Sequence, residues 1–330
     1  MKQDVTLAKA KEALSYIDAN DREVWIRMCF AMKAEFGEAG FDVWDAWSQG
    51  GKTYKVADAK STWKAAKRGG KITIASLFYL AQQSGWGGEA PRLRKPSFKE
   101  KRAREAEQKR EAEKEKKRHQ LALKQSHEIV KACEVKNHPY LISKGFDGIE
   151  ALVIDKDKLN KILKRKEPYT EDAVVIPVRD RKLKLVSVQL IFPDGEKKFL
   201  YGGKLKGYSH VLNPKAMRFI LCEGFMTGHS LLASLWNIQQ HNIGVVICFS
   251  SWNICEMAKL VNKTSLVVAD HDPKDKNGRS PGVFAAMRTG LPYWYPPDQG
   301  MDANDYMRKY GLDALSKEMR EFLAKNRLGG

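Results

Sequence analysis

An α/β fold with a parallel sheet in its C-terminal half, preceded by an all-α domain, is predicted by three features of this sequence. Two short apolar runs end abruptly in acidic residues, the first at Glu223 and the second at Asp270 and Asp272. The segments between them have the apolar spacing of helices, which gives the β-α-β-α-β order of an open, mostly parallel sheet. Residues 1–88 lack such runs and have helical spacing instead.

The N-terminal domain, placed at residues 1–90, is expected to consist of helices. Asp21 is a suitable N-cap for a helix that reaches about Phe36. Further helices are expected near residues 41–47, 57–67 and 73–83. Five of the eight tryptophans lie in this domain. They are candidate base-stacking platforms, but their helical spacing favours packing in a core.

A charged helical connector is predicted at residues 91–131, where large apolar side chains are almost absent. Acidic and basic residues recur there at i,i+4 spacing, as in Glu105–Lys109 and Glu113–Lys117. Such pairs favour a solvated helix over a core element. Two interpretations stay open, namely a basic arm that lies along DNA and a semi-rigid spacer.

The charge distribution indicates a polyanionic partner. The net charge is +18, and the surplus is +2 in residues 1–90, +7 in 91–130 and +9 in 131–330. A surface of this kind binds nucleic acid with strong salt dependence, because phosphate contacts release counterions.

The sequence also indicates a cytoplasmic protein without a membrane partner. No apolar run approaches the roughly 20 residues of a membrane-spanning helix, and the N-terminus lacks the apolar stretch of a signal peptide. The five cysteines are scattered, which is typical of free thiols in a reducing compartment.

Glu223, Asp270 and Asp272 are expected to meet at the carboxyl edge of the predicted sheet. Two charges about 4 Å apart repel by roughly 4 kcal/mol at an effective dielectric near 20, and a cation removes that cost. Oxygen-only ligands favour Mg²⁺ or Mn²⁺ over zinc, and such ions commonly serve phosphate chemistry. The alternative is that the acids cap helices or pair with lysines. His271 would point to the other side of an extended strand, and no metal is assigned to it.

This constellation resembles the Toprim domain of bacterial-type primases, topoisomerases and certain nucleases. Glu223-Gly224 matches its glutamate motif, and Asp270-His271-Asp272 matches its Asp-x-Asp motif. The resemblance implies a Rossmann-like parallel sheet over residues 216–330. It also implies that the three acids hold the metal, with Glu223 as ligand or proton shuttle. The segment 300–306 resembles the Asp-x-Asn-Asp segment of phage and plasmid primases, which adds Asp302, or alternatively Asp305, to the site.

Residues 132–215 resemble the mixed α+β basic subdomain that precedes the Toprim domain in primase cores. In those primases basic residues of this subdomain face the template and the incoming nucleotide, which here implicates Arg179, Lys198 and Lys204. Lys274, Lys276 and Arg279, in the polar loop after Asp272, either touch phosphates or only solubilise that loop. The segments that carry the resemblance are 138–145, 175–180, 185–190 and 197–203.

The N-terminal segment resembles the small helical domain found beside polymerase-like primase cores in phage and plasmid replication proteins. The residues that carry this likeness are 43–48, 52–54, Trp63 and 72–77.

The sequence departs from these families in two places. Thr227 occupies the position, four residues after the motif glutamate, where the bacterial replicative primase has a further acid. No Cys-x-x-Cys pair occurs, so neither a zinc ribbon nor bound zinc is expected.

An ATPase site is not predicted. Gly51-Lys52-Thr53 lacks the preceding glycine and strand of a phosphate-binding loop, so a helicase partner would be a separate chain.

The predicted function is primer synthesis on single-stranded DNA from nucleoside triphosphates, with Mg²⁺ or Mn²⁺, in phage or plasmid replication. Two alternatives stay open. A Toprim nuclease uses the same acids and metal, and a non-catalytic DNA-binding or helicase-recruiting factor would explain the missing zinc ribbon and Thr227.

Overall fold

The chain is described by a computed structural model. It divides into two compact units, Met1–Glu113 and Lys114–Gly330, each with its own hydrophobic core. The described residues are 5–66, 72–90, 98–261, 265–275 and 278–326, without the side chains of 98–101, 103 and 104.

The first unit consists of helices, as predicted. The Asp21 side chain accepts hydrogen bonds from the N–H groups of Glu23 and Val24, which confirms the predicted cap of the second helix. The sequence did not predict the first helix. The fourth helix ends at Ala65, where Ala66 is extended, and the residue at its predicted end, Lys67, lies outside the described residues. The helices are α1 (Leu7–Leu14), α2 (Arg22–Phe36), α3 (Phe41–Ser48), α4 (Val56–Ala65) and α5 (Ile74–Gln83).

Tryptophans form the centre of this unit, so the interpretation as core residues is confirmed. Trp44 is completely buried, and its ring lies 4.7 Å from that of Trp25 and 5.5 Å from that of Trp63. Each indole N–H donates a hydrogen bond: Trp25 to the Ser48 hydroxyl, Trp44 to the Trp25 carbonyl and Trp63 to the Glu38 carboxylate. These rings are therefore not available for base stacking.

The connector is a single long helix, α6 (Phe98–Ala132), which contains the division between the two units. Residues 91–97 of the predicted connector lie outside the described part of the chain. The expectation of a fully solvated helix is wrong for its C-terminal third. Ala122, Ser126 and Ile129 are completely buried, because their spacing places them on one face against the strands that follow.

The second unit begins with an antiparallel sheet in the strand order β1-β2-β3-β4-β5. The strand pair predicted at 175–180 and 185–190 corresponds to β3 and β4. One face of this sheet packs on α6 and α8, and the other contributes to the largest core cluster of the unit. Its elements are β1 (Glu134–Lys136), α7 (Pro139–Ser143), β2 (Ala151–Ile154), α8 (Lys156–Leu163), β3 (Ala173–Arg179), β4 (Leu185–Ile191) and β5 (Lys197–Phe199).

The second sheet has the order β10-β9-β7-β8-β6, and only the edge strand β6 is antiparallel to its neighbour. The predicted β-α-β-α-β order over residues 218–268 is confirmed by β7, α9, β8, α10 and β9. The elements are β6 (His210–Leu212), β7 (Arg218–Cys222), α9 (Phe225–Asn237), β8 (Ile243–Ile247), α10 (Ser251–Ala258), β9 (Leu266–Val268), α11 (Pro281–Arg288), β10 (Tyr293–Trp294), α12 (Ala303–Tyr310) and α13 (Leu312–Lys325).

Helices cover both faces of this second sheet. Residues of α9, α12 and α13 pack in one core cluster, and residues of α10 and α11 pack in another. From β7 the chain continues to β8 on one side, whereas from β9 it continues to β10 on the other. The strand order therefore reverses between β7 and β9. A reversal of this kind opens a crevice at the carboxyl ends of the two strands, where ligands bind in open α/β sheets.

Candidate functional site

The predicted acidic residues lie at the crevice between β7 and β9. Glu223 follows directly after β7, and Asp270 and Asp272 follow β9. The backbone N–H of Phe249, after β8, donates to the Glu223 carbonyl, which ties this strand end to its neighbour.

Asp302 reaches the same crevice through a main-chain pairing. The His271 N–H donates to the Met301 carbonyl at 2.9 Å, and the Gly300 N–H donates to the His271 carbonyl at 2.6 Å. These two hydrogen bonds place Asp302 beside Asp270 and Asp272, which flank His271. Glu223, Asp270, Asp272 and Asp302 together are called the acidic cluster below.

Thr227 holds the fourth acid of the cluster in place. Its hydroxyl donates to Asp302 Oδ2 at 2.9 Å, while Asp302 Oδ1 accepts the N–H of Asp305 at 2.8 Å. Asp305 in turn completes a capping box at the start of α12. The sequence offered Asp302 and Asp305 as replacements for the acid that is missing at position 227. Asp302 contacts Thr227, whereas Asp305 caps the start of α12.

The four charges influence one another. Burial raises the pKa of Asp270 well above its usual range, and the charges of Asp302, Glu223 and Asp272 raise it further. Burial also raises the pKa of Glu223, with Asp272 adding to the effect and Lys197 opposing it. Mutual repulsion of this kind shows that the acids lie within electrostatic reach of one another.

The two aspartates after β9 differ in their hydrogen bonds. Asp270 Oδ1 is buried and unpaired in the described part of the chain. Asp272 Oδ2, in contrast, accepts the N–H of Gly282 at 2.8 Å. A β-carbon at Gly282 would stand 2.4 Å from the Asp270 carbonyl oxygen, so this close approach requires glycine.

The cluster fits a hard divalent cation by its chemistry. All its donors are carboxylate oxygens, one is buried and unpaired, and the charges repel in the absence of a counter-charge. In the described residues, however, no three His, Cys, Asp or Glu side chains are already arranged to hold an ion. Binding would therefore require the carboxylates to turn toward a shared ligand.

Lys197, and not the predicted Lys198, faces the acidic cluster. Alternate residues of β5 point to opposite sides, and the charge of Lys197 lowers the pKa of both Glu223 and Asp270. The ammonium group of Lys198 pairs with Glu196 at 2.8 Å and lies 5.3 Å from the ring centre of Tyr169. The sequence could not decide between two adjacent lysines without the register of the strand.

The other predicted nucleic-acid residues are not gathered at the cluster by any described contact. The Arg179 guanidinium donates to the Leu183 carbonyl, and the Arg279 guanidinium lies 4.6 Å from the ring centre of Phe284. Lys204 and Lys274 are exposed. Lys276, named with them, lies outside the described residues.

A cavity of about 380 Å³ adjoins the cluster. Burial, together with the charge of Asp302, raises the pKa of Tyr140 to about 12, so its phenol stays protonated. The sequence pointed to this region only through the resemblance of segment 138–145, and it did not single out Tyr140 or Lys197. Residues lining the cavity include Tyr140, Lys144, Asp194, Lys197, Thr227 and Asp302.

His271 makes contacts within the fold. Its Nδ1 lies 2.8 Å from the Pro296 carbonyl, and its ring contacts Tyr295 edge-on.

Comparison with known families finds a match in the N-terminal domain. Residues 10–81 match the family Primase C terminal 2, or PriCT-2. The match confirms the resemblance carried by Trp63 and its neighbouring segments, and it connects the chain with primases. The matched region contains helices α2–α4, most of α5 and the rings of Trp25, Trp44 and Trp63.

Several solved primases are similar to the chain at low identity. A DnaG primase catalytic domain bound to ssDNA is 16% identical, over 62% of this chain and 73% of that chain, with a TM-score of 0.35. The primase fragment of the bacteriophage T7 primase-helicase protein is 13% identical, over 55% and 68%, with a TM-score of 0.34. The Aquifex aeolicus primase, with its zinc-binding and RNA polymerase domains, is 11% identical, over 98% and 63%, with a TM-score of 0.33. TM-scores this low do not establish a common fold.

Among the described residues, no helix has the length and apolar character needed to span a bilayer.

Proposed function

We propose that the chain is a primase-like nucleotidyltransferase of phage or plasmid replication that makes short primers on single-stranded DNA. Residues 216–330 would be its Toprim-type catalytic domain, with Mg²⁺ or Mn²⁺ as cofactor. The PriCT-2 match supports the link to primases. The order of the chain, with an antiparallel sheet before a sheet of four parallel strands, agrees with the two-part core implied by the sequence.

The observation that carries the proposal is the acidic cluster at the reversal of strand order. Four carboxylates lie there beside a cavity and an exposed lysine, and one buried oxygen has no hydrogen-bond partner in the described part of the chain. A purely structural cluster would be expected to pair that oxygen, because an unsatisfied buried acceptor costs about 1–3 kcal/mol.

The acids have different parts in the proposed reaction. Asp270, Asp272 and Asp302 offer ligand oxygens, and the last two are oriented by Gly282 and Thr227. The bound ion would offset their repulsion and stabilise negative charge on phosphate oxygens. Glu223, whose pKa is raised, is suited to accept the proton of the attacking hydroxyl. Lys197 would attract the triphosphate.

Primer synthesis is the direct test. The full chain is incubated with single-stranded DNA, labelled nucleoside triphosphates and either Mg²⁺ or Mn²⁺, with and without a replicative helicase. Labelled oligonucleotides are expected from the native chain and not from Asp270→Asn. Glu150→Gln, an exposed change in the same unit, serves as the matched control and should leave synthesis intact. DNA fragments without synthesis would contradict the proposal and favour the nuclease.

A second candidate is a non-catalytic DNA-binding or helicase-recruiting factor. It is favoured by the observation that no three acidic side chains in the described residues are yet arranged around an ion. If Asp270→Asn and Asp272→Asn leave the role in replication intact while charge reversal in the connector abolishes it, this second function is correct.

A further inference from the structure

A group of aromatic and basic side chains lies next to the acidic cluster in the second unit. It consists of the exposed rings of Phe199 and Tyr201, at and after the end of β5, the exposed ring of Trp252 after β8, and the buried ring of Phe249 between them and the core. We call this group, together with the cations Arg118, Lys204 and Lys206, the aromatic strip.

The two segments of the strip are in contact with each other. The rings of Phe199 and Phe249 meet edge-on, with their centres 5.7 Å apart. Phe249 adopts a φ angle of 68°, which is a rare conformation for a bulky residue. Strained backbone of this kind is concentrated at ligand-binding and active sites.

The loop from Tyr201 to Tyr208 joins the two ends of the strip. Gly207 donates its N–H to Asn253 Oδ1, and Asn253 Nδ2 donates to the Tyr208 carbonyl, both at 2.8 Å. Asn253 is itself completely buried, so this end of the loop is fixed to α10. The loop carries Lys204 and Lys206 outward.

Cations stand over the exposed rings. The Lys206 ammonium lies 5.1 Å from the ring centre of Trp252, and the Arg118 guanidinium lies 5.4 Å from that of Tyr201. Lys206 also pairs with Glu256 at 3.6 Å, which holds it in place. Trp252 and Tyr201 nevertheless remain 54% and 79% exposed, so the fold does not use these rings as core.

The strip leads directly to the acidic cluster. The backbone of Ser251, the residue before Trp252, lowers the pKa of Glu223. Lys197, on the same side of β5 as Phe199, acts on both Glu223 and Asp270. A chain bound on the strip would therefore pass beside the four acids.

We propose that the aromatic strip binds single-stranded nucleic acid by stacking bases on Trp252 and Tyr201 and by placing phosphates on the neighbouring cations. Exposed aromatic rings interleaved with basic side chains are what a sequence-tolerant single-strand site requires, because every base has a face to stack and every linkage has a charge. The inference rests on the proposed function for the identity of the ligand, but it concerns binding alone.

Binding is measured by fluorescence anisotropy with a labelled oligothymidylate of about 15 nucleotides, in the presence of a metal chelator. Trp252→Ala and Tyr201→Ala should each weaken affinity about five- to a hundredfold, and Trp252→Phe should retain most of it. The matched control is Trp236→Ala. Trp236 is 48% exposed at the end of α9, beside His241, and this change should leave affinity unaltered. Thermal melting of each variant verifies that it is folded.

A second probe isolates stacking from charge. An abasic oligonucleotide with the same backbone should bind the native chain and Trp252→Ala equally, whereas Lys206→Ala should reduce the salt dependence of binding by about one phosphate contact. Equal oligothymidylate affinities for the native chain, Trp252→Ala and Tyr201→Ala would overturn the inference. The aromatic strip would then be a candidate contact surface for a protein partner. Because no metal or nucleotide is present, a chain that makes no primers can still pass this test, and an active primase can still fail it.

Discussion

The tryptophan core of the first unit and the acidic cluster of the second differ in whether their buried polar atoms have hydrogen-bond partners. In the first unit, Trp25, Trp44 and Trp63 are packed together, and each indole N–H has an acceptor. At the cluster, like charges face one another, and Asp270 Oδ1 has no hydrogen-bond partner among the residues that the structure describes. The difference indicates that the first arrangement serves stability, whereas the second retains unfavourable interactions that a ligand can relieve.

The largest effect is expected from the tryptophan core. Trp44→Ala should lower the free energy of unfolding of the first unit by about 3–5 kcal/mol, since it removes a completely buried ring and leaves a cavity. Urea unfolding followed by tryptophan fluorescence and circular dichroism measures this loss. Tyr79→Ala, at a ring that is 62% exposed in the same unit, should change it by less than about 0.5 kcal/mol. Similar losses for both variants would contradict the assignment of a tryptophan core.

The second largest effect is expected from a fall in pH, which should destabilise the second unit more than the first. All seven histidines lie in the second unit, and burial lowers the pKa of both His210 and His229 to about 4. Because the unfolded chain protonates near pH 6.5, these groups should reduce the stability of the second unit as pH falls from about 6.5 to about 4, by roughly 2–3 kcal/mol each. The first unit has no histidine and should lack this dependence.

Unfolding measured from pH 7 to pH 4, with His229→Gln beside the native chain, tests this difference. The variant should flatten the loss of stability in the second unit. A parallel loss in native and variant chains would show that His229 does not remain neutral on folding.

Removing one charge from the acidic cluster should have a smaller effect, of opposite sign to that of a core mutation. Without metal, Asp270→Asn is expected to raise the free energy of unfolding of the second unit by roughly 1 kcal/mol, because it relieves repulsion and burial of charge. Added Mn²⁺ should stabilise the native chain and not the variant. Calorimetry with and without Mn²⁺ checks both parts, with Glu150→Gln as control. Destabilisation by Asp270→Asn would indicate a structural carboxylate.

The smallest effect is expected at the hydroxyl that orients Asp302. Thr227→Val should weaken Mn²⁺ binding by about 0.5–1.5 kcal/mol, since Asp302 Oδ2 loses its hydrogen bond while the volume is kept. Thr227→Ser, which keeps the hydroxyl, should bind nearly as the native chain does. Isothermal titration with Mn²⁺ measures the difference. Equal weakening by valine and serine would assign the effect to packing.

The sequence was most informative where a local pattern determines the structure. The apolar runs before Glu223 and Asp270 predicted the parallel strands and the edge at which the acids meet, because strand ends in such sheets point to one crevice. The cap at Asp21 likewise gave the start of α2.

Predictions failed where long-range packing or register decides. The connector was predicted to be solvated because most of its residues are polar. Ala122, Ser126 and Ile129 are small or isolated in that sequence, and their shared face is evident only from the strands that pack against it. The choice of Lys198 over Lys197 needed the alternation of β5, and the approach of Asp302 to Thr227 needed the pairing of two loops distant in sequence.

The pairing of His271 with residues 300 and 301 is a short ladder of two hydrogen bonds that joins the backbone of three of the four carboxylates. Rupture of that ladder would release the backbone before Asp302 from His271, while the Thr227 hydroxyl would still restrain the Asp302 side chain. The exchange rate of the His271 amide proton with solvent deuterium would therefore report how often this pairing opens.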